Sequence, residues 1–176
     1  MSLNSYLIEG ARPYGEDVQD IRIIGGRIAE IGIGLDPENL GVVRAEGRVA
    51  LPSFVDLHTH LREPGREDAE TIASGSRAAT LGGFSAVFAM ANTAPVADTA
   101  GVVEQVWRLG RETGLVDVFP IGAVSVGLNG QALAELGAMA ASAAGVTVFS
   151  DDGHCVFDPL LMRRALEYVK TFDGVI

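Results

Sequence analysis

"FVDLHTHLREPGREDAETIASGSRAATLGGFSAVFAMA" occupies Phe54–Ala91. It opens on an apolar run, passes into a helix-forming segment over roughly Asp68–Leu81, breaks at Gly82–Gly83, and returns to an apolar run. A glycine pair after a helical pattern is a stop signal. Strand, helix and strand in that order need a crossover, which makes the two strands parallel. The first run ends in His58 and His60, two of only three histidines in the chain.

The alternation continues downstream. Asp98 can cap a second helix with Val102, Val103, Val106 and Leu109 on one face; Trp107 on that helix reads as packing. "DVFPIGAVSV" (117–126) is a third strand, "QALAELGAMAASAA" (131–144) an alanine-rich helix, and "VTVFS" (146–150) a fourth strand. Asp158–Pro159 pairs an N-cap with a first-turn proline and opens a helix that ends at Asp173–Gly174. Val175 and Ile176 begin a fifth strand. Repeated βα units with near-continuous apolar strands imply a parallel sheet covered by helices, either an open doubly wound sheet or a (β/α)8 barrel. No Gly-rich phosphate loop follows the first strand, which counts against a nucleotide-binding open sheet. Four βα units are half a barrel, since a complete one needs about 250 residues.

Residues 1 to about 50 have another texture. "DIRIIGGRIAEIG" (20–32) alternates apolar and polar positions around Gly25–Gly26, a hairpin signal. "GVVRAEGRVAL" (41–51) reads as two more short strands turning at Glu46–Gly47. Met1–Leu3 reads as a candidate cloning remnant.

Composition narrows the function. The 176 residues, 48% hydrophobic, suffice for one sizeable core and a small second domain. Net charge is −10, and no basic run exists to hold nucleic acid. The single Cys155 excludes an intrachain disulfide framework and fits a reducing compartment. No apolar run is long enough to cross a membrane, and the N-terminus lacks a secretory signal. The expectation is a soluble cytoplasmic protein.

Three strand ends carry candidate chemistry. Strand alternation points His58 and His60 to one face, with Asp56 and Arg62 in phase if the strand continues. Two imidazoles at the C-terminal end of a βα strand are placed to share a divalent metal, although an isolated His-x-His usually makes ordinary hydrogen bonds. Arg62 can hold a carboxylate through two parallel hydrogen bonds, or pair locally with Glu63, Glu67 or Asp68. Asn92, in "ANTAP" (91–95), can bond a substrate carboxylate or amide, or shape the turn before Pro95. "SDDGHC" (150–155) ends the fourth strand; an aspartate there can bridge two metals, or cap a turn. His154 and Cys155 have no ligand spacing of their own.

These segments, "LPSFVDLHTHLREPG", "ATLGGFSAVFAMANTAPV" and "VFSDDG", resemble the amidohydrolase superfamily, and most closely class I dihydroorotases. The resemblance spans most of residues 49–153. It implies a small β-sandwich subdomain over residues 1–51 and the first half of a metal-dependent (β/α)8 barrel over 52–176. That is an α/β chain with about four βα units and the start of strand five. It implies zinc, one or two ions in the full-length enzyme, held by His58, His60 and Asp152, the second aspartate of the pair; with only these three ligands, metal binding by the 176 residues alone is expected to be weak or absent. It gives Arg62 and Asn92 the substrate α-carboxylate and places His60 against substrate too. The implied reaction is reversible cyclisation of N-carbamoyl-L-aspartate to L-dihydroorotate in pyrimidine synthesis. Metal ions would acidify a bridging water and polarise the amide carbonyl.

Allantoinases share much of the histidine motif, and hydantoinases use a carboxylated lysine where this segment has Asp152. Pro52–Ser53 stands where the family has Pro-Gly. The family's further histidines and its general-base aspartate are expected beyond Ile176, so no catalytic residue is assigned here and the 176 residues are expected to be an inactive N-terminal fragment. Expected partners are the small-molecule substrate, further copies in a homo-oligomer, and aspartate carbamoyltransferase. The last would also be the partner of a non-catalytic homologue, which typically lacks the metal ligands. Half a barrel leaves strands one and four with open edges, so the chain is expected to self-associate; light scattering that finds a monomer at high concentration would contradict this.

Overall fold

Gly25 and Gly26 separate two alternating runs, and both take positive φ (58° and 78°), as a two-residue hairpin turn requires. The computed structural model describes residues 4–176; Met1–Leu3 lie outside the described residues. The chain divides at Pro52–Ser53 into two units.

The first unit is all strand: β1 (Tyr6–Pro13), β2 (Gln19–Ile24), β3 (Arg27–Gly32), β4 (Gly41–Arg44) and β5 (Val49–Ala50). β1, β2 and β3 run antiparallel in turn, in the sheet order β3-β2-β1-β4. The chain does turn at Glu46–Gly47, but β4 and β5 do not pair with each other. Each lies parallel to a different stretch of β1. The core is small: Ala11, Ile21 and Ala45, with Leu7 also buried.

Asp20 holds this unit's loops. Its carboxylate, 8% exposed, accepts from Gly10 N at 2.8 Å and Leu35 N at 3.0 Å. The Gly10 N–H first, and then the Leu35 and Gly34 amides, hold the carboxyl below the usual aspartate range against the opposing pull of burial.

The second unit alternates strand and helix: β6 (Phe54–Thr59), α1 (Ile72–Leu81), β7 (Phe84–Ala89), α2 (Ala100–Thr113), β8 (Asp117–Pro120), α3 (Leu136–Ala141) and α4 (Pro159–Val169). β6, β7 and β8 pair in order and in parallel. The sheet continues as single parallel bridges, Gly122 to Phe149 and Val148 to Val175. One core cluster, including Ile72, Val87, Val106 and Val118, joins α1 and α2 to the sheet; another, including Val103, Leu136, Phe149 and Ala165, joins the later segments. The unit is an α/β fold with a parallel sheet.

Several expected boundaries shift. α1 starts at Ile72 because Thr71 caps it, trading side-chain and backbone bonds with Ser74. Asp98 does not cap α2; it accepts from Gly127 N at 2.8 Å, and Thr99 takes the cap position. The alanine-rich segment is helical only over Leu136–Ala141, because Ala132 O and Ala134 N bond instead to Val126 and Val124. The fourth strand survives as two bridges. Asp158 does cap α4, accepting from Leu160 N at 2.8 Å. The far sheet edge lies at Val175, not at 146–150, since Phe149 N donates to Val175 O. The near edge is β6, where Val55 and Leu57 are exposed.

A carboxyl depressed in the folded state stabilises above its unfolded pKa and stops doing so as pH falls through the folded one. Stability is therefore expected to drop below about pH 4. Asp20→Asn is expected to cost about 1–3 kcal/mol at pH 7. It should also flatten that acid limb, as read by urea unfolding followed by circular dichroism.

Candidate metal centre

In a parallel sheet every strand delivers its C-terminal end to the same side. His58 is the penultimate residue of β6, and His60 follows β6 directly. Asn92 follows β7, and Asp152 follows the bridge at Phe149. The fold brings these four together. His58 Nε2 stands 3.0 Å from Asp152 Oδ1, and His60 Nε2 stands 4.0 Å from Asp152 Oδ2. The two rings meet edge to face at 5.2 Å. Asn92 Nδ2 donates to Asp152 Oδ2 at 2.9 Å, and Asn92 Oδ1 lies 3.0 Å from His60 Nδ1.

One ligand atom each from His58, His60 and Asp152 lies within 4.8 Å of the others. Ligand atoms about 2.0–2.2 Å from a tetrahedral zinc ion stand roughly 3.3–3.5 Å apart, so small adjustments suit this set to zinc. Two imidazoles and a carboxylate are also zinc's usual donors, and three protein ligands leave a position open.

Asp152 owes its place to its neighbours. Its backbone takes φ 54°, and its N–H donates to Ser150 Oγ at 3.0 Å. Asp151 points the other way, 5% exposed, and accepts from Val124 N at 2.8 Å and Ser125 N at 3.0 Å. The buried Ser125 hydroxyl donates to it as well. Sequence reasoning passed over Asp151. The available signal was alternation: adjacent residues at a strand end face opposite sides, so one aspartate had to face the interior.

Arg62 is not joined to the cluster by any bond. It is exposed, at φ 62°, and its guanidinium has no partner among the described residues. The local ion pairs considered above do not form: Glu63 accepts from Ile72 N, Glu67 from Gly65 N, and Asp68 pairs with Arg66. Those bonds hold the carboxyls of Glu67 and Asp68 below the usual range. Arg62's loop does bond the Asn92 loop, through Ala94 N to Pro64 O at 2.9 Å. Gly65 permits that approach; a Cβ there would lie 2.3 Å from Ala94 O. Asp56 accepts from His58 N, His154 and Cys155 are exposed outside the cluster, and Trp107 packs under Arg111.

The family model described as dihydro-orotase-like matches residues 47–176. The chain belongs to that family. Dihydroorotases from Streptomyces coelicolor, Leifsonia xyli and Mycobacterium tuberculosis are 64%, 62% and 61% identical to it over 98–100% of its length. The chain spans only 40–41% of those relatives. Among solved structures, the dihydropyrimidinase from Brevibacillus agri shares 20% identity and a TM-score of 0.68, over 97% of this chain and 38% of that one. An L-hydantoinase from Arthrobacter aurescens shares 20% and a TM-score of 0.65, over 84% and 32%. At that identity the likeness concerns the fold alone.

His58→Ala, His60→Ala and Asp152→Ala are each expected to weaken zinc binding by more than about tenfold, and His154→Ala to leave it unchanged. Isothermal titration with zinc on protein expressed from the whole open reading frame makes the comparison.

Proposed function

We propose that this chain carries the first part of a zinc-dependent dihydroorotase, which interconverts N-carbamoyl-L-aspartate and L-dihydroorotate in pyrimidine synthesis. The observation that carries the reading is the His58–His60–Asp152 cluster at the C-terminal side of a parallel sheet, in a chain more than 60% identical to dihydroorotases. In this reading residues 1–51 are a small β-sandwich subdomain and 52–176 the first half of a (β/α)8 barrel. Zinc held by His58, His60 and Asp152 supplies Lewis acidity toward the amide carbonyl and acidifies water.

The chain's own residues orient the substrate. Arg62 offers a planar pair of donors that no local carboxylate occupies, suited to a bidentate grip on the α-carboxylate. Asn92 would add an amide N–H to the same carboxylate, and His60, 3.0 Å from the Asn92 amide oxygen, would border the substrate. Because the two loops are bonded to each other, the carboxylate grip and the metal cluster are held in one frame. A general base is not assigned among the described residues, and the 176 residues alone are expected to be inactive.

Of the alternatives, a hydantoinase-type centre needs a lysine. The only lysine is Lys170, exposed at the end of α4 and outside the cluster. A non-catalytic homologue serving aspartate carbamoyltransferase would be expected to lose the ligands retained here. No helix among the described residues is long and apolar enough to cross a membrane. We place the protein in the cytoplasm, as a homo-oligomer.

Protein expressed from the whole open reading frame is expected to open dihydroorotate and to leave allantoin and hydantoin nearly untouched. Preference for either of the latter would overturn the reading. In that protein Arg62→Ala should raise KM for N-carbamoyl-L-aspartate about 10–100-fold, the worth of a charge-assisted bond of 1.5–3 kcal/mol.

A further inference from the structure

We propose that Asn92 is a positioning residue that selects the ring tautomer of His60, presenting an unprotonated Nε2 to the centre. The inference rests on reading His58, His60 and Asp152 as metal ligands, and deepens it.

One chain of hydrogen bonds joins Asp152, Asn92 and His60. An ionised carboxylate can only accept, so the Asn92 atom 2.9 Å from Asp152 Oδ2 must be the amide nitrogen. The amide is planar, and its other end, the oxygen, therefore faces His60 Nδ1 at 3.0 Å. An amide oxygen has no proton to give, so Nδ1 must carry one. A neutral imidazole holds a single N–H, which leaves Nε2 with its lone pair. That nitrogen is the one facing Asp152, at 4.0 Å, too far for a hydrogen bond and open to a cation.

The two imidazoles are therefore not equivalent. His58 Nε2 sits within hydrogen-bond distance of Asp152 Oδ1, at 3.0 Å, and in the metal-free arrangement it donates. His60 is set for coordination before any ion arrives. In water the neutral ring prefers its proton on Nε2, so Asn92 holds His60 against its default. Without Asn92, His60 can turn its Nε2–H onto Asp152 and block the position. Metal-binding histidines commonly donate their second nitrogen to a carboxylate or carbonyl. Here a side-chain amide accepts that bond and grips the third ligand with its other end. Asn92 still keeps one N–H, which is the donor left for substrate.

The test is ring 15N spectroscopy on the zinc-free 176-residue chain at pH 8. The wild type is expected to show His60 protonated on Nδ1. Asn92→Leu, with folding checked by circular dichroism, should shift His60 to the Nε2–H form and lower zinc affinity about 10–100-fold. Asn92→Asp, which still accepts from Nδ1–H, should retain the wild-type tautomer. An Nε2–H His60 in the wild type overturns the proposal without any variant, and so does an unchanged tautomer in folded Asn92→Leu. Protein expressed from the whole open reading frame that binds no zinc, while the wild-type ring is Nδ1–H, overturns the metal reading instead.

Discussion

The buried carboxylate of Asp151 holds the arrangement together. Segment 146–150 is barely a strand, with two bridges in place of a ladder, so its own backbone does little to fix its end. Asp151 supplies what the ladder lacks. It takes two backbone N–H groups and a hydroxyl from the turn at Val124–Ser125, and thereby ties this segment to the end of its neighbour. A buried carboxylate without such partners would cost several kcal/mol, whereas charge-assisted bonds to all three donors offset that cost. The adjacent residue then has little choice. With Asp151 anchored inward, Asp152 turns through a left-handed conformation toward the histidines.

The loops that follow β6 and β7 are constrained in a comparable way. Each carboxylate of the Glu63–Glu70 loop is used by a backbone N–H, by Arg66 or, for Glu70, by the Ser74 hydroxyl. The arginine is the group left over. Arg62 makes no ion pair among the described residues, and it sits on the loop bonded to Asn92. The contact passes through Gly65, where even a methyl group would collide with the Ala94 carbonyl. Backbone packing, not side-chain attraction, sets how these two loops stand.

Much of this could be read from the amino-acid order. The apolar runs and glycine stops marked the parallel strands and helices, and strand parity put His58 and His60 together. What escaped were features that depend on distant backbone. Residues 131–134 look helical by composition, yet their amide and carbonyl groups find better partners at Val124 and Val126. Asp98 has the chemistry of a cap, but Gly127, far along the chain, takes its carboxylate. β4 and β5 look like a hairpin because they adjoin, and they separate because β1 offers each a free edge. The links from Asn92 to His60 and to Asp152 span 32 and 60 residues and left no local trace.

The two core clusters of the second unit give the centre a mechanical meaning. His58 and His60 hang from the side built around Leu61, Ile72 and Val87, whereas Asp152 hangs from the side built around Phe149 and Leu136. Asn92 follows Ala91, which belongs to the second cluster, and reaches His60 beside the first. The polar cluster therefore bridges two apolar cores that pack largely within themselves. A cation bound there would couple them, because its ligands are in place only when both are folded. By mass action, binding to the folded state alone stabilises both cores together. In the proposed reading the triad would be a structural joint as well as a site, with Asn92, bonded to one residue on each side, the part of that joint that needs no metal.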